Sequence, residues 1–217
     1  MYSDEGNGMR RTKEEAAITR QQLLKAALVV FSAKGYAATR LEDIAAEAGV
    51  TRGAIYWHFG NKAELYNTLL SEYGAGYAEV VTGAIADGGT ALDILRRLLV
   101  RSLEFLVTDE QYRAMIEISL FKTELSGELS AGWALKLDSM YNGINSLAEL
   151  MREGITAGVL RADLEPIEAS RAFVAYLNGL STLWLMDQMG QRTIRLKHSA
   201  PALAEIYLRG IATPDKS

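Results

Sequence analysis

The stretch TRGAIYWHFGNK, residues 51–62, sets Arg52 one helical turn before Tyr56 and brackets a run of rings, Tyr56 to Phe59, between an arginine and a lysine. An arginine offers N–H donors in a planar fork, which fits the O6/N7 edge of guanine. A tyrosine one turn along the same face can lay its ring against sugar or a thymine methyl and its hydroxyl on phosphate. Gly53 has no side chain and lets backbone approach DNA closely. Ile55 and Phe59, four apart, share the opposite, inward face. Trp57 and His58 close the run, where a polar tip reaches phosphate while the ring covers the domain. The rings therefore divide between a core and a nucleic-acid surface.

These side chains need a scaffold that carries a short helix into a groove. Thr39-Arg40-Leu41-Glu42 reads as a T-x-x-E capping box and predicts a helix from about Arg40. Gly49 ends it after about two turns, and Thr51 caps the next. This is helix-turn-helix spacing. Ala45 is small where the two helices cross, and Gly49 sits where the turn wants positive φ. Ile44, Val50 and Ile55 supply the seam. The second helix of such a unit presents its N-terminal residues, here Thr51, Arg52 and Gly53, to base edges in the major groove. Thr39 and Arg40 are expected on phosphate at the opening of the other helix. Lys62 follows the N-cap Asn61 and opens the next helix, whose N-terminus is itself an anion site.

Beyond this unit almost every segment has helical period. Leu24, Ala27, Leu28 and Phe31 line one face of a first helix that Gly35 stops, and Leu65, Leu69 and Tyr73 line the linking helix. Gly74 and Gly76 loosen that helix, and Asp87-Gly88-Gly89 breaks the pattern. Further helices are predicted over 92–107, 110–124, 134–156, 166–189 and 201–211, with Pro166 and Pro201 each in a first turn. The tails, 1–9 and 212–217, are expected to fray. The fold class is all-α: an N-terminal three-helix helix-turn-helix domain with its linking helix, 10–73, then a helical regulatory domain, 74–213.

Composition bounds the chemistry. The 217 residues contain no cysteine, so disulfides, thiolate metal sites and cysteine nucleophiles are excluded. The two histidines, His58 and His198, stand in no catalytic or metal constellation, and Gly74-Ala75-Gly76 lacks the third glycine and preceding strand of a dinucleotide loop. Neither an enzyme nor a cofactor is expected. The first ten residues have no apolar h-region, and no apolar run approaches the roughly 20 residues of a membrane span, so a cytoplasmic location without membrane contact is expected. The net charge is −4, but between Arg10 and Lys62 nine basic residues face five acids. A basic N-terminal module on an acidic body is the asymmetry of a DNA reader joined to something else.

The segment RRTKEEA…TRQQLLKAALVVFSAKGYAATRLEDIAAEAGVTRGAIYWHFGNKAEL resembles the DNA-binding domain of the tetracycline-repressor (TetR) family over about 55 residues. RRTKEEA and GVTRGAIYWHF are similar to its AcrR/TtgR-like subgroup, repressors of multidrug efflux pumps; ISLFKTEL (118–125) and AYLNGLSTLWL (175–185) resemble that subgroup more weakly. The resemblance implies a homodimer on a palindromic double-stranded operator, released by a small hydrophobic or amphipathic ligand. It implies a ligand cavity lined by Tyr73, Tyr77, Leu95, Leu98, Leu99, Ile116, Leu120, Leu147, Val174 and Leu177. Asn178 and Glu117 are its candidate polar groups, unless Asn178 caps a neighbouring backbone and Glu117 is a solvated or salt-bridged acid. Phe173, Tyr176, Leu177, Leu180 and Trp184, with Leu203, Ile206, Tyr207 and Ile211, form two apolar stripes suited to a four-helix dimer interface or to the chain's own core. An architectural DNA-binding factor without a ligand is a rival, disfavoured by the long second domain. A regulator answering a fatty acyl or other metabolite is another, since an apolar cavity suits both.

Overall fold

The computed structural model describes residues 5–124, 127–190 and 192–214, with side chains from Lys13 onward except Ala131. The helices are α1 (Glu5–Ala38), α2 (Leu41–Ala48), α3 (Arg52–Phe59), α4 (Lys62–Ala86), α5 (Ala91–Thr108), α6 (Glu110–Phe121), α7 (Ser130–Thr156), α8 (Pro166–Gln188) and α9 (Leu196–Ile211), with a 3₁₀ turn at Gly127–Leu129. Among the described residues there is no strand, only an antiparallel bridge between Leu160 and Ala212. No helix among them is long and apolar enough to cross a membrane.

The chain forms two compact units. The first takes the chain up to Tyr73 together with Ala114–Ser130; the second takes Gly74–Arg113 and the chain from Ala131. The expected division at 73/74 leaves out the 114–130 segment, which clusters with the N-terminal helices.

In the first unit, Leu23, Leu24, Ala27 and Phe31 of α1 are buried, as are Ile44 and Ala45 of α2 and Ile55 and Phe59 of α3. Helices α1 and α2 pack together, and α2 packs on α3. Gly49 follows α2 at φ 68° and ψ 28°, the left-handed region that lets the chain reverse tightly into α3. Val50 N–H then donates to the Ala45 carbonyl. Gly35 interrupts α1 at φ 75° and ψ 167°, in backbone territory almost reserved for glycine.

Capping differs from expectation in one register. Arg40, not Thr39, holds the N-cap of α2, and the Asp43 carboxylate accepts from its N–H at 3.1 Å. Thr39 instead donates its hydroxyl to the Gly35 carbonyl at 2.7 Å, bridging the break in α1. Asn61 caps α4 as read, accepting from Glu64 N–H at 2.8 Å. Gly74 and Gly76 do not interrupt α4, which runs to Ala86.

In the second unit, Leu95 and Leu99 of α5, Met151 of α7, Phe173 of α8, and Ala204 and Leu208 of α9 share one core. Helix α5 packs on both α8 and α9. Buried Leu196 and Ala200 carry α9 a turn further toward its N-terminus than predicted, so Pro201 lies inside the helix rather than at its start. Pro166 does occupy the first turn of α8, after the N-cap Glu165, whose carboxylate accepts from Glu168 N–H. Residues 5–9, expected to fray, are helical; residues 1–4 and 215–217 of the expected frayed tails lie outside the described residues.

Candidate nucleic-acid interface

Arg52 is the first residue of α3, and its guanidinium lies across the gap to α2. Nη1 is 2.5 Å from Glu42 Oε1, and Nη2 donates to the Tyr56 hydroxyl at 2.6 Å. The guanidinium carbon also sits 5.2 Å from the Tyr56 ring centroid, within cation–π range. The fork is therefore held at two corners, with further N–H donors left to meet a base or phosphate. Spacing puts Arg52 and Tyr56 on one face, and the structure joins them by a hydrogen bond that the sequence reading did not include; Glu42 carried no such signal, because its partner is ten residues along and across a turn.

The rest of the α3 surface is open. Thr51 and Gly53 are exposed, and Trp57 shows 72% of its surface. An indole so open to water is a large amphipathic surface, suited to a partner with sugars and stacked rings. His58 is half-buried, edge-on to Trp57 with ring centroids 4.4 Å apart. Burial, then the nearby Arg20 cation, push its imidazole below the ordinary 6.5. Ile55 and Phe59 are fully inward, at 0% and 2% exposure, so the four rings do divide between core and surface.

Two expected phosphate contacts have other employment. Thr39 is 2% exposed, and its hydroxyl is committed to Gly35, so that side chain faces the core. Lys62 Nζ donates to the Tyr36 carbonyl at 3.0 Å and the Thr39 carbonyl at 3.2 Å, 4.3 Å from the Tyr36 ring centroid. It clamps the end of α1 onto α4 instead of standing free. Arg40 stays exposed beside the α2 N-terminus. Also unforeseen is the Lys34–Asp43 pair at 2.9 Å; the Lys34 hydrogen bond, then the Arg40 N–H, hold the Asp43 carboxyl below the usual carboxylate range.

The expected ligand-lining residues have mixed placements. In the second unit Leu95, Leu98 and Leu99 are core, with Leu147, Val174 and Leu177 packed against it. Tyr77 shares a hydrogen bond with Ser102 Oγ at 3.0 Å, and its ring stacks on Tyr112 at 5.5 Å. Asn178 is exposed on α8 rather than turned to the apolar face. In the first unit Ile116 and Glu117 are half-buried and Leu120 is exposed. The Tyr73 hydroxyl is buried and has no hydrogen-bond partner among the described residues. Among the described residues no group of three or more His, Asp or Glu side chains could hold a metal.

Residues 23–69 match the tetR family of bacterial regulatory proteins, and residues 90–212 match the C-terminal region of MAATS-type transcriptional repressors. The HTH-type transcriptional regulator AcrR of Shigella flexneri is 38% identical over 205 residues, covering 92% of this chain and 94% of that protein. TtgR of Pseudomonas putida is 35% identical over 179 residues, covering 82% and 85%. The crystal structure of NalD, the secondary repressor of the MexAB-OprM multidrug efflux pump in Pseudomonas aeruginosa, superposes with a TM-score of 0.79 at 31% identity, over 92% of this chain and 98% of that one. With residues 23–69 and 90–212 both matched, and a relative 38% identical over 92% of the chain, this protein belongs to the TetR family of bacterial transcriptional regulators.

Proposed function

We propose that the protein is a repressor that binds a palindromic operator as a homodimer and leaves it when a small hydrophobic or amphipathic ligand binds, controlling a multidrug efflux system. The observation that carries the DNA reading is the exposed Arg52–Tyr56 pair at the start of α3, beside the exposed Trp57. The efflux assignment draws on similarity to NalD, which is a repressor of an efflux pump.

A palindrome calls for two-fold symmetry. The outward stripes of the last two helices support a dimer there. On α8, Ala175, Gly179, Leu183 and Met186 are all exposed at helical spacing; on α9, Ala202, Ile206 and Gly210 are. Small residues between large apolar ones let a partner helix come close. The pair of recognition helices would then lie about 34 Å apart, one turn of DNA. A ligand that favours another spacing lowers DNA affinity, and operator must lower ligand affinity by the same factor. Helix α4 is the proposed relay.

Selection from a random double-stranded DNA library at fixed salt tests this. Enrichment of a palindrome, lost on Arg52→Ala, is expected, and the enriched duplex then screens drugs and fatty acyl compounds for release. Absence of any enriched sequence would remove the operator reading. Release by acyl compounds alone would move the regulator from efflux to lipid metabolism.

A further inference from the structure

We propose that Glu42 is a positioning residue that sets sequence specificity, holding the Arg52 fork in register for a base edge and penalising its use on non-cognate phosphate. This rests on the DNA-binding reading above.

Glu42 lies in the first turn of α2, and Arg52 opens α3. Their ion pair is about half exposed on both sides, 56% for Arg52 and 53% for Glu42. A pair so exposed contributes little to folding. Its consequence lies at the surface that meets DNA. With one corner on Glu42 and another on Tyr56, the fork has a defined plane before any duplex arrives. An arginine already ordered loses less side-chain entropy when it meets a base edge.

The carboxylate also discriminates between two uses of that arginine. Addressing a base edge with its remaining donors, Arg52 keeps Glu42. Swinging out to a phosphate, it leaves Glu42 unpaired beside a polyanion. The second arrangement carries a like-charge penalty that the first avoids. Specificity is a difference of affinities, and a repulsive element aimed at the wrong complex raises it without tightening the right one. Glu42 therefore weakens binding to arbitrary DNA more than binding to operator.

The test uses full-length protein, the selected operator duplex and a scrambled duplex of equal length and composition, with binding followed by fluorescence anisotropy over a salt series. For Glu42→Gln the scrambled duplex should tighten roughly three- to tenfold while operator changes less than about twofold, so the specificity ratio falls. The salt slope on scrambled DNA should steepen by about 0.9 as Arg52 takes a phosphate. In an Arg52→Ala background the same substitution should shift both duplexes equally, because Glu42 acts through Arg52. Arg52→Lys, which keeps the charge and loses the fork, should weaken operator and spare scrambled DNA. An unchanged ratio in Glu42→Gln overturns the proposal, as does an equal fall of the ratio in the Arg52→Ala background. A purely structural role would weaken both duplexes together and also overturn it. Wild-type protein that does not separate operator from scrambled DNA would instead sink the operator reading itself.

Discussion

The Tyr36 N–H donates to the Lys122 carbonyl at 2.9 Å, tying the end of α1 to the segment that leaves α6. Lys122 answers with its side chain, whose Nζ donates to the Ser32 carbonyl near the end of the same helix. Within the first unit, Lys122 thus serves both the Tyr36 N–H and the Ser32 carbonyl, the i, i−4 pair of an unbroken helix, where Gly35 breaks the helical backbone. Gly35 makes the junction possible: a Cβ there would sit 3.0 Å from the Lys122 carbonyl oxygen.

Gly35→Ala should accordingly destabilise the protein by about 1–3 kcal/mol, from the cost of its backbone conformation for any other residue. Urea denaturation should show a lower midpoint with little change in slope. A midpoint equal to wild type would mean that the junction relaxes freely and the contact has no structural weight.

Lys62→Met separates a clamp from a phosphate contact. Nζ is held by two carbonyls and the Tyr36 ring, and charged hydrogen bonds of this kind contribute about 1.5–3 kcal/mol. Loss of stability on that scale is expected, with the salt dependence of operator binding unchanged. A salt slope reduced by about 0.9 at unchanged stability would restore Lys62 to the DNA surface.

His58 should make binding depend on pH. Its pKa in the free protein is depressed by burial and by Arg20, so the imidazole is neutral at pH 7.5. For folding, a depressed pKa contributes stability above the unfolded value near 6.5, and that contribution is lost as pH falls through the folded value. For DNA the sign reverses. A phosphate near the ring favours the cation and raises the pKa, so binding takes up a proton. Operator affinity should rise between pH 7.5 and 6, and His58→Asn should flatten the rise. A pH dependence identical in the variant would place the phosphate away from His58.

What the sequence disclosed here was local. Gly49, Ile44 and Ile55 declare a tight two-helix turn because conformation and burial act within a dozen residues. Thr39 misled because two acids, Glu42 and Asp43, follow in succession, and a capping pattern read from residue types cannot tell which of them reaches back. Lys62 reads as part of an anion site from its place at the head of α4; its actual partners, Tyr36 and Thr39, offer main-chain carbonyls, which every residue has. The Glu42–Arg52 pair and the clustering of 114–130 with α1 are tertiary, and a single sequence carries no trace of them.

The apolar stripes at the chain end show the same limit and give the last prediction. Phe173 and Trp184, read as candidates for an interface, are 3% and 5% exposed and serve the chain's own core. The outward positions are others: Leu183, Met186 and Met189 expose 59%, 57% and 66% of their surface, and Ile206 exposes 66%. Two helices with several such side chains in water carry an unsatisfied hydrophobic driving force at roughly 25 cal/mol per Å². Charging them should therefore cost association and spare folding. The double variant Met186→Glu/Ile206→Glu is expected to keep its helical circular dichroism, to sediment as a monomer, and to lose most operator affinity, because a single recognition helix reads only half a palindrome. Trp184→Ala should do the opposite, unfolding the second unit by removing a core ring, at about 3–5 kcal/mol. A double variant that still sediments as a dimer would move the interface away from these two helices.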